Sequence, residues 1–284
     1  MQSRRLHFHE KGITMPTDSF FSQGSAHRIC QDYATHGANY AIVSDGCSSA
    51  LDSDFGARLL TRSAIQTLAA DYELGSEAFY NCVLRQAANY AQAMGLHEDC
   101  LFATLTIAQQ IGKEFVVAMK GDGVIVAQYP NYFYVCSLEF ENCAPFFLRY
   151  HLNEESLKNY ETHVGTKYNR HEYIVTPTLV TKAETECQVN LSNASVELHR
   201  FNTDEVQSVA IMSDGVSAFF RTDQSDTHKQ SVKVDFIEVI RELIAFKNFN
   251  EGFVERRCQM AFRKFDKLGW KPFDDFSIGV VTNG

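Results

Sequence analysis

The stretch Ala41-Ile42-Val43-Ser44-Asp45-Gly46 recurs later in the chain as Ala210-Ile211-Met212-Ser213-Asp214-Gly215. In each copy, an apolar run typical of a buried strand ends in Asp-Gly. A single Asp-Gly after a strand usually marks a hairpin turn. Here, however, Asp45 is followed by Cys-Ser-Ser and a helical pattern, and Asp214 by Val-Ser-Ala-Phe-Phe, which predicts a turn into a helix. Both pairs therefore predict a carboxylate at a strand end.

Two further acidic positions accompany strand-like segments. Asp122 lies between Gly121 and Gly123 after an apolar run, where a hairpin turn is an equally good interpretation. Asp274 and Asp275 precede the strand-like segment 276–281. Carboxylates at strand ends are held rigidly, and several of them brought together would repel each other unless a cation neutralised them. Mg²⁺ and Mn²⁺ prefer such an all-oxygen set of ligands.

Composition and charge limit the classes of function. The chain has 284 residues, of which 45% are hydrophobic and 21% charged, as in ordinary globular proteins. No linker rich in Pro, Gly or Ser interrupts it, so we predict a single domain over residues 1–284. The net charge of -9 and the lack of a Lys/Arg run argue against a nucleic-acid partner.

Location and metal type follow from simple patterns. No apolar run approaches the ~18 residues of a membrane span, and the polar residues after Arg4 and Arg5 do not resemble a signal peptide. We therefore expect a cytoplasmic protein without a membrane partner. The eight dispersed cysteines are expected to be free thiols, and no C-x-x-C or H-E-x-x-H pattern supports zinc.

Periodicity predicts alternating strands and helices. The predicted helices are 54–70, 76–94, 234–246 and 250–268. The predicted strands are 38–44, 100–109, 114–119, 124–129, 132–138, 206–213 and 276–281. The four strands between 100 and 138 are closely spaced, so we expect an antiparallel meander. The polar region 139–205 shows weak periodicity and predicts loops with one or two strands.

The order of the acidic motifs resembles a known family, the metal-dependent serine/threonine protein phosphatases of type 2C (PPM-like), with closer similarity to the bacterial members. The resemblance spans Arg28 to Val281 and depends on these short segments: 27–32, Asp45-Gly46, 102–105, Gly121-Asp122, Asp214-Gly215 and 274–277. It implies an α+β fold, with two packed antiparallel β-sheets flanked by helix pairs in a four-layer α/β/β/α sandwich. It also implies a variable flap-like region at about 139–205.

The same resemblance implies an activity and its cofactors. The expected reaction is hydrolysis of phosphoserine or phosphothreonine in a phosphorylated protein, by water activated between two divalent cations, Mg²⁺ or Mn²⁺. Asp45 would bridge both cations with the Gly46 carbonyl on one, and Asp214 and Asp274 would complete the second. Three further roles are implied: Asp32 would hold a metal-bound water, Asp122 would bind a third, weaker cation, and Arg28 would bind the substrate phosphate.

The sequence departs from the family pattern at several positions. Gln31 replaces the usual Glu before Asp32, and Cys47 stands where animal members carry a His, which leaves the general acid unassigned. Asp275 replaces the usual Asn, and Ser277 sets the register that makes Asp274 the ligand. His27, Cys47 and Asp275 are further candidates for the site, although a structural or surface role suits His27 and a passive role suits Cys47.

Two other functions stay open at this stage. Nothing in the sequence identifies a protein substrate, so the chain could hydrolyse small phosphoesters. It could also be an inactive member of the family that serves as a binding module. The presence of Asp45, Asp122, Asp214 and Asp274 together argues against that last interpretation.

Overall fold

The computed structural model describes residues 16–222 and 231–283. Within them the helices are α1 (Ser53–Leu68), α2 (Glu77–Ala93), α3 (Glu154–Asn159), α4 (Phe236–Leu243) and α5 (Phe253–Lys267). The strands are β1 (Thr17–Ser22), β2 (Tyr33–His36), β3 (Tyr40–Ser44), β4 (Leu105–Ile111), β5 (Glu114–Lys120), β6 (Val124–Gln128), β7 (Phe133–Phe140), β8 (Lys167–Val175), β9 (Val180–Gln188), β10 (Glu197–Asn202), β11 (Ser208–Met212), β12 (Phe219–Thr222), β13 (Ser231–Lys233), β14 (Trp270–Pro272) and β15 (Phe276–Thr282). The N-terminal segment behind the prediction of cytoplasmic location lies outside the described residues.

Two large antiparallel sheets form the centre of the described structure. One has seven strands in the order β1-β15-β11-β6-β7-β8-β9, and the other has five in the order β10-β5-β4-β3-β2. A small three-stranded sheet, β13-β12-β14, lies apart from them. The apolar strands β11 and β15 are buried along their whole length, which explains their continuous hydrophobic runs.

Three apolar clusters show how the layers stack. The middle cluster joins the facing sides of the two sheets, with Val43 and Phe115 from one sheet and Ile211 from the other. An outer cluster packs α1 and α2 against the five-stranded sheet, and another packs α4 and α5 against the seven-stranded sheet. The predicted α+β fold with four α/β/β/α layers is confirmed.

The two long N-terminal helices begin and end near the predicted residues. The Ser76 side chain accepts a hydrogen bond from the Phe79 backbone N–H at 3.1 Å and so caps the start of α2. Gly95, with φ of +72°, follows its end, where a left-handed residue is favourable. At the start of α1, Asp52 makes no side-chain cap and itself has a φ of +58°.

The predicted meander of four strands is wrong. β4 and β5 pair in the five-stranded sheet, whereas β6 and β7 pair in the seven-stranded sheet. The chain crosses between the sheets at Gly121-Asp122-Gly123, where Gly121 has φ of +94° and Gly123 has φ of +137°. Only glycine adopts such angles readily, so the crossing depends on both glycines. Asp122 therefore does not lie in a hairpin turn.

Region 139–205 contains more structure than its weak periodicity indicates. β8 and β9 form a hairpin that extends the seven-stranded sheet beyond β7, and β10 joins the edge of the five-stranded sheet at β5. Strand β9 is exposed along most of its length, so it lacks the buried alternation that reveals a strand. Between β7 and β8 the chain forms α3 and short helical turns. In the part of the chain that the structure describes, no helix is long and apolar enough to cross a membrane.

Candidate metal centre

The strand registers bring the predicted acidic residues to one end of the two sheets. β3 and β5 end next to the start of β4, since Leu105 pairs with Lys120 and Ser44 Oγ donates to the Thr104 carbonyl at 2.6 Å. In the other sheet, Met212 at the end of β11 pairs with Val124 at the start of β6 and with Ile278 in β15. The same end of the two sheets therefore holds the residues that follow β3, β5 and β11 and those that precede β2 and β15.

Asp45 is held by its backbone. Its N–H donates to Thr104 Oγ1 at 3.0 Å, and its carbonyl accepts from the Thr104 N–H at 2.8 Å. Gly46 is buried, and a Cβ at this position would approach the Ser53 carbonyl to 2.7 Å. Only glycine fits here, which explains the Asp-Gly pair by close packing as well as by turn geometry.

Asp32, which precedes β2, is fully buried beside Asp45. Its Oδ2 accepts a hydrogen bond from Ser277 Oγ at 2.7 Å, in β15 of the other sheet. Its Oδ1 is also buried and has no hydrogen-bond partner in the described residues. A buried, unpartnered carboxylate oxygen is costly, so this atom requires a ligand such as water or a cation.

Asp214 follows β11 and begins a short 3₁₀ turn, Asp214–Ser217. The chain then enters β12, so the helix expected after Asp214 is only this single turn. Gly215 is buried, and a Cβ there would overlap the Asp275 carbonyl oxygen. The second Asp-Gly pair thus also depends on glycine for the contact between two strand ends.

Asp274 and Asp275 point in different directions. Asp275 is buried, and its carboxylate accepts from the N–H groups of Gly24 at 2.7 Å and Gln31 at 2.6 Å. Asp274 is more exposed and faces the cavity of the site. His27 lies between them, with Nδ1 at 2.9 Å from Asp275 and Nε2 at 3.4 Å from Asp274. This geometry agrees with the register that assigns Asp274 to the site and gives Asp275 a structural role.

The carboxylates interact strongly with one another. Burial raises the pKa of Asp32 to about 7. Burial, with the charges of Asp32, Asp214 and Asp122, raises the pKa of Asp45 well above its ordinary value. Burial and the charge of Asp214 do the same for Asp122 and, to a smaller extent, for Asp274. The protein therefore holds several carboxyl groups that ionise with difficulty unless positive charge is supplied.

The nearest base, His27, responds to the same charges. Burial lowers its pKa, but Asp275, Asp274 and Asp32 outweigh burial, so the pKa is raised above its ordinary value. His27 therefore lies among acidic side chains at the wall of the cavity.

A cavity of about 150 Å³ collects most of the predicted residues. Its walls include Asp45, Gly46, Asp122, Asp214 and Asp274, together with His27 and Cys47. Arg28 is exposed and does not line this cavity, although it follows His27 directly. The structure therefore brings together the acidic candidates but not the candidate phosphate ligand.

The donor set fits hard divalent cations. It consists of carboxylates and a glycine carbonyl, with a buried unpartnered oxygen on Asp32 and pKa values that positive charge would restore. Among the described residues, no three His, Cys, Asp or Glu side chains are already arranged as metal ligands. Burial and the charges of Asp32 and Asp214 instead raise the pKa of Asp45, so the group of carboxylates favours binding of positive charge.

Several residues of the site were not predicted. Thr104 fixes Asp45, and Ser277 fixes Asp32, although both belong to the motifs of the resemblance. Pro145 and Phe147 line the cavity from region 139–205, and no sequence signal pointed to them. Only the three-dimensional pairing of the sheets reveals these contacts.

Known proteins resemble this chain in family and in fold. The protein phosphatase 2C family matches residues 22–251. The structure is similar to the serine/threonine phosphatase Stp1 from Staphylococcus aureus, at 12% identity and a TM-score of 0.56, with 100% of both chains covered. It is also similar to a bacterial serine phosphatase, at 12% identity and a TM-score of 0.55, with 95% of this chain and 98% of that chain covered.

At these identities the two structures show a shared fold. No curated protein sequence matches the chain. The family match covers most of the chain and includes Asp32, Asp45, Asp122 and Asp214. The chain therefore belongs to the protein phosphatase 2C family, whose members are phosphoprotein phosphatases.

Proposed function

We propose that this protein hydrolyses phosphoserine and phosphothreonine in phosphorylated proteins with the help of two divalent cations, Mg²⁺ or Mn²⁺. Asp45, the Gly46 carbonyl, Asp214 and Asp274 would hold them, and Asp122 would hold a third. The observation that supports this proposal most strongly is the group of carboxylates around one small cavity, whose pKa values are raised by burial and by each other.

The bound cations would supply positive charge for the phosphoryl oxygens and lower the pKa of water. The chain itself positions the reacting groups. Ser277 fixes Oδ2 of Asp32, so the buried Oδ1 would be free to accept a hydrogen bond from a metal-bound water. Thr104 fixes the Asp45 backbone at the end of β3. A rigid carboxylate needs no reorganisation as charge develops on the substrate, which favours catalysis.

Substrate binding is the second part of the proposal. Arg28 would bind the phosphate, because it is exposed, directly follows His27, which lines the cavity, and carries a planar pair of donors that matches a phosphate group. Asp275 would keep His27 in place through its close contact with Nδ1. Cys47 lines the same cavity, with Sγ 3.1 Å from Ser49 Oγ, and no catalytic role is assigned to it.

The remaining assignments are also proposals. Residues 1–284 would form one domain, with region 139–205 as a variable, flap-like part that borders the site. A cytoplasmic location stays a prediction from the sequence.

The test is a phosphatase assay with Mn²⁺ or Mg²⁺, first on p-nitrophenyl phosphate and then on a phosphothreonine peptide. We expect hydrolysis of both that stops when EDTA removes the cations, and none by Asp214→Asn. Hydrolysis of small esters alone would indicate a small-molecule phosphatase. If neither substrate reacts with either cation, the chain is a binding module and the proposal is wrong.

A further inference from the structure

A second, larger cavity adjoins the candidate metal centre. Its volume is about 610 Å³, against about 150 Å³ at the centre itself. The two cavities share Cys47, Cys143, Pro145 and Phe147 as walls, so they lie side by side. The central cavity is the smaller of the two and is lined by carboxylates, so it suits the phosphoryl group and not an apolar side chain. The rest of a substrate must lie outside it.

The larger cavity is mostly apolar. Three aromatic rings form one wall: Phe102 lies 5.8 Å from Phe147 and 5.3 Å from Tyr150, measured between ring centroids. Ala144 also lines the cavity, and Leu51 at its margin is 75% exposed. Sites that bury an apolar group are usually concave and lined by aromatic and aliphatic side chains, as this cavity is.

The aromatic wall is held rigidly. The buried Arg149 donates to Asp99 at 2.9 Å and to Glu98 at 2.7 Å. Its guanidinium carbon also lies 5.2 Å from the centroid of the Phe102 ring. These contacts fasten the segment that carries Phe147 and Tyr150 to the turn before Thr104. The wall is therefore formed before any ligand binds, which lowers the entropic cost of binding.

A third cavity, of about 380 Å³, lies on the other side of the centre. It shares Asp122, Asp214 and Cys143 with the central cavity, and Lys182 and Lys233 line it. The apolar cavity and this polar cavity each share walls with the central cavity. Cys143 is the only residue that lines all three. A substrate that fills all three cavities must be long. An extended polypeptide is long enough, whereas a small phosphoester is not.

We propose that the 610 Å³ cavity binds an aromatic or large aliphatic side chain of the protein substrate, close in sequence to the phosphorylated residue. This inference rests on the proposed phosphatase function and adds a substrate class to it. Because consecutive Cα atoms are about 3.8 Å apart, a side chain within three residues of the phosphothreonine reaches a cavity that shares a wall with the centre.

The test compares phosphothreonine peptides made otherwise of alanine and polar residues. A single Phe is placed in turn at each position within three residues of the phosphothreonine. We expect Phe at one position to raise kcat/KM about tenfold or more over Ala there, as an apolar pocket discriminates. Activity on p-nitrophenyl phosphate, measured alongside, tests the phosphatase function separately. If that activity is present but every peptide reacts equally, the inference about the cavity is wrong.

A cavity-filling variant locates the effect. Ala144→Phe would occupy the apolar cavity, so the preference for the Phe peptide should disappear. The matched control is Ala93→Phe, on the exposed end of α2, which should keep the wild-type preference. A preference that survives Ala144→Phe overturns the assignment to this cavity. A preference for naphthyl over phenyl phosphate, with none among peptides, would assign the cavity to small esters and overturn the peptide occupant. The wild-type peptide series does not depend on the folding of either variant.

Discussion

At the scale of single residues, the carboxylates of the site are arranged at a cost to the protein. Asp32 is fully buried, and burial and neighbouring charge keep the pKa of Asp45 and Asp122 high. A group whose pKa is higher in the folded state binds a proton more tightly there, so ionising it at neutral pH reduces the stability of the fold. Cations bound at the proposed site would reverse this effect, because they would bind the ionised, folded arrangement.

The first prediction concerns Asp45→Asn. Loss of its charge should lower phosphatase activity at least about a hundredfold, since even outer partners of metal ligands typically contribute 10–100-fold. In EDTA the variant should melt at a higher temperature than the wild type, because it removes a carboxylate that ionises with difficulty. Activity with Mn²⁺ and thermal melting in EDTA measure the two effects.

The control for that prediction is Asp71→Asn. Asp71 is exposed and has a φ of +58°, which Asn also accepts. It should change neither activity nor melting temperature. Full activity in Asp45→Asn would contradict the role of Asp45 in the site.

The second prediction concerns Arg28. If it binds phosphate equally in the ground state and the transition state, Arg28→Ala should raise KM about tenfold and change kcat less. Arg28→Lys should restore only part of the binding, because an ammonium lacks the planar pair of donors. Steady-state kinetics decide, with Arg85→Ala on the exposed face of α2 as the control. Unchanged KM in Arg28→Ala would show that this exposed residue has no part in the site.

Local sequence predicted the acidic residues better than their partners. Asp45 and Asp214 follow apolar runs and precede glycine, so neighbouring residues in the chain were sufficient. The contacts of Asp275 with Gly24 and Gln31, and of Ser277 with Asp32, join residues more than 240 positions apart. No short pattern contains such information, which is why the place of His27 between Asp274 and Asp275 was missed.

At the scale of secondary-structure elements, strand periodicity identified strands but not the sheets that contain them. β5 and β6 are separated by three residues, yet they belong to different sheets. A continuous apolar run occurs in both strands, because each strand is buried whichever sheet it joins. Only the positive φ angles at Gly121 and Gly123 distinguish the crossing from a hairpin, and glycine is common to both.

The third prediction tests the contact between strand ends. In Gly215→Ala, the new methyl group would overlap the Asp275 carbonyl, so the ends of β11 and β15 must separate. We expect a loss of about 1–3 kcal/mol in the free energy of unfolding, as for other overpacked sites. Activity should also fall, because Asp214 and Asp274 flank the displaced atoms.

Gly95→Ala is the control for strain without a clash. A Cβ at Gly95 has no heavy atom within 4 Å, but φ is +72°. It should lose about 1 kcal/mol for the left-handed angle and keep its activity at a temperature where it is folded. Equal activity in the two variants would mean that the position of the strand ends does not control the site. Urea unfolding and initial rates provide both measurements.

At the scale of the whole molecule, region 139–205 is joined to the central sheets by a buried lysine. Lys120, at the end of β5, donates to the Ser192 carbonyl at 3.4 Å and the Ala194 carbonyl at 3.1 Å. It also lies 4.3 Å from the centroid of the Phe146 ring. Two separate parts of the region thus meet at one side chain next to the candidate metal centre. The global stability of the fold therefore includes the packing of this region.

The last prediction uses His151, which lies in that packed region with Nε2 3.5 Å from Lys120 Nζ. Burial, together with the charge of Lys120, lowers the pKa of His151 from 6.5 to about 4. At this position the unfolded chain binds a proton between pH 6.5 and 4 that the folded chain does not, so the contribution of His151 to stability is lost as the pH falls through this interval. One such group contributes a slope of up to about 1.4 kcal/mol per pH unit.

In His151→Gln this contribution should vanish, and the exposed His163→Gln should retain it. Urea unfolding of the three proteins in EDTA, at several pH values, measures the slopes. If the stabilities of wild type and His151→Gln change in parallel from pH 6.5 to 4, then His151 is not held in its neutral form, and region 139–205 does not pack on Lys120 as described.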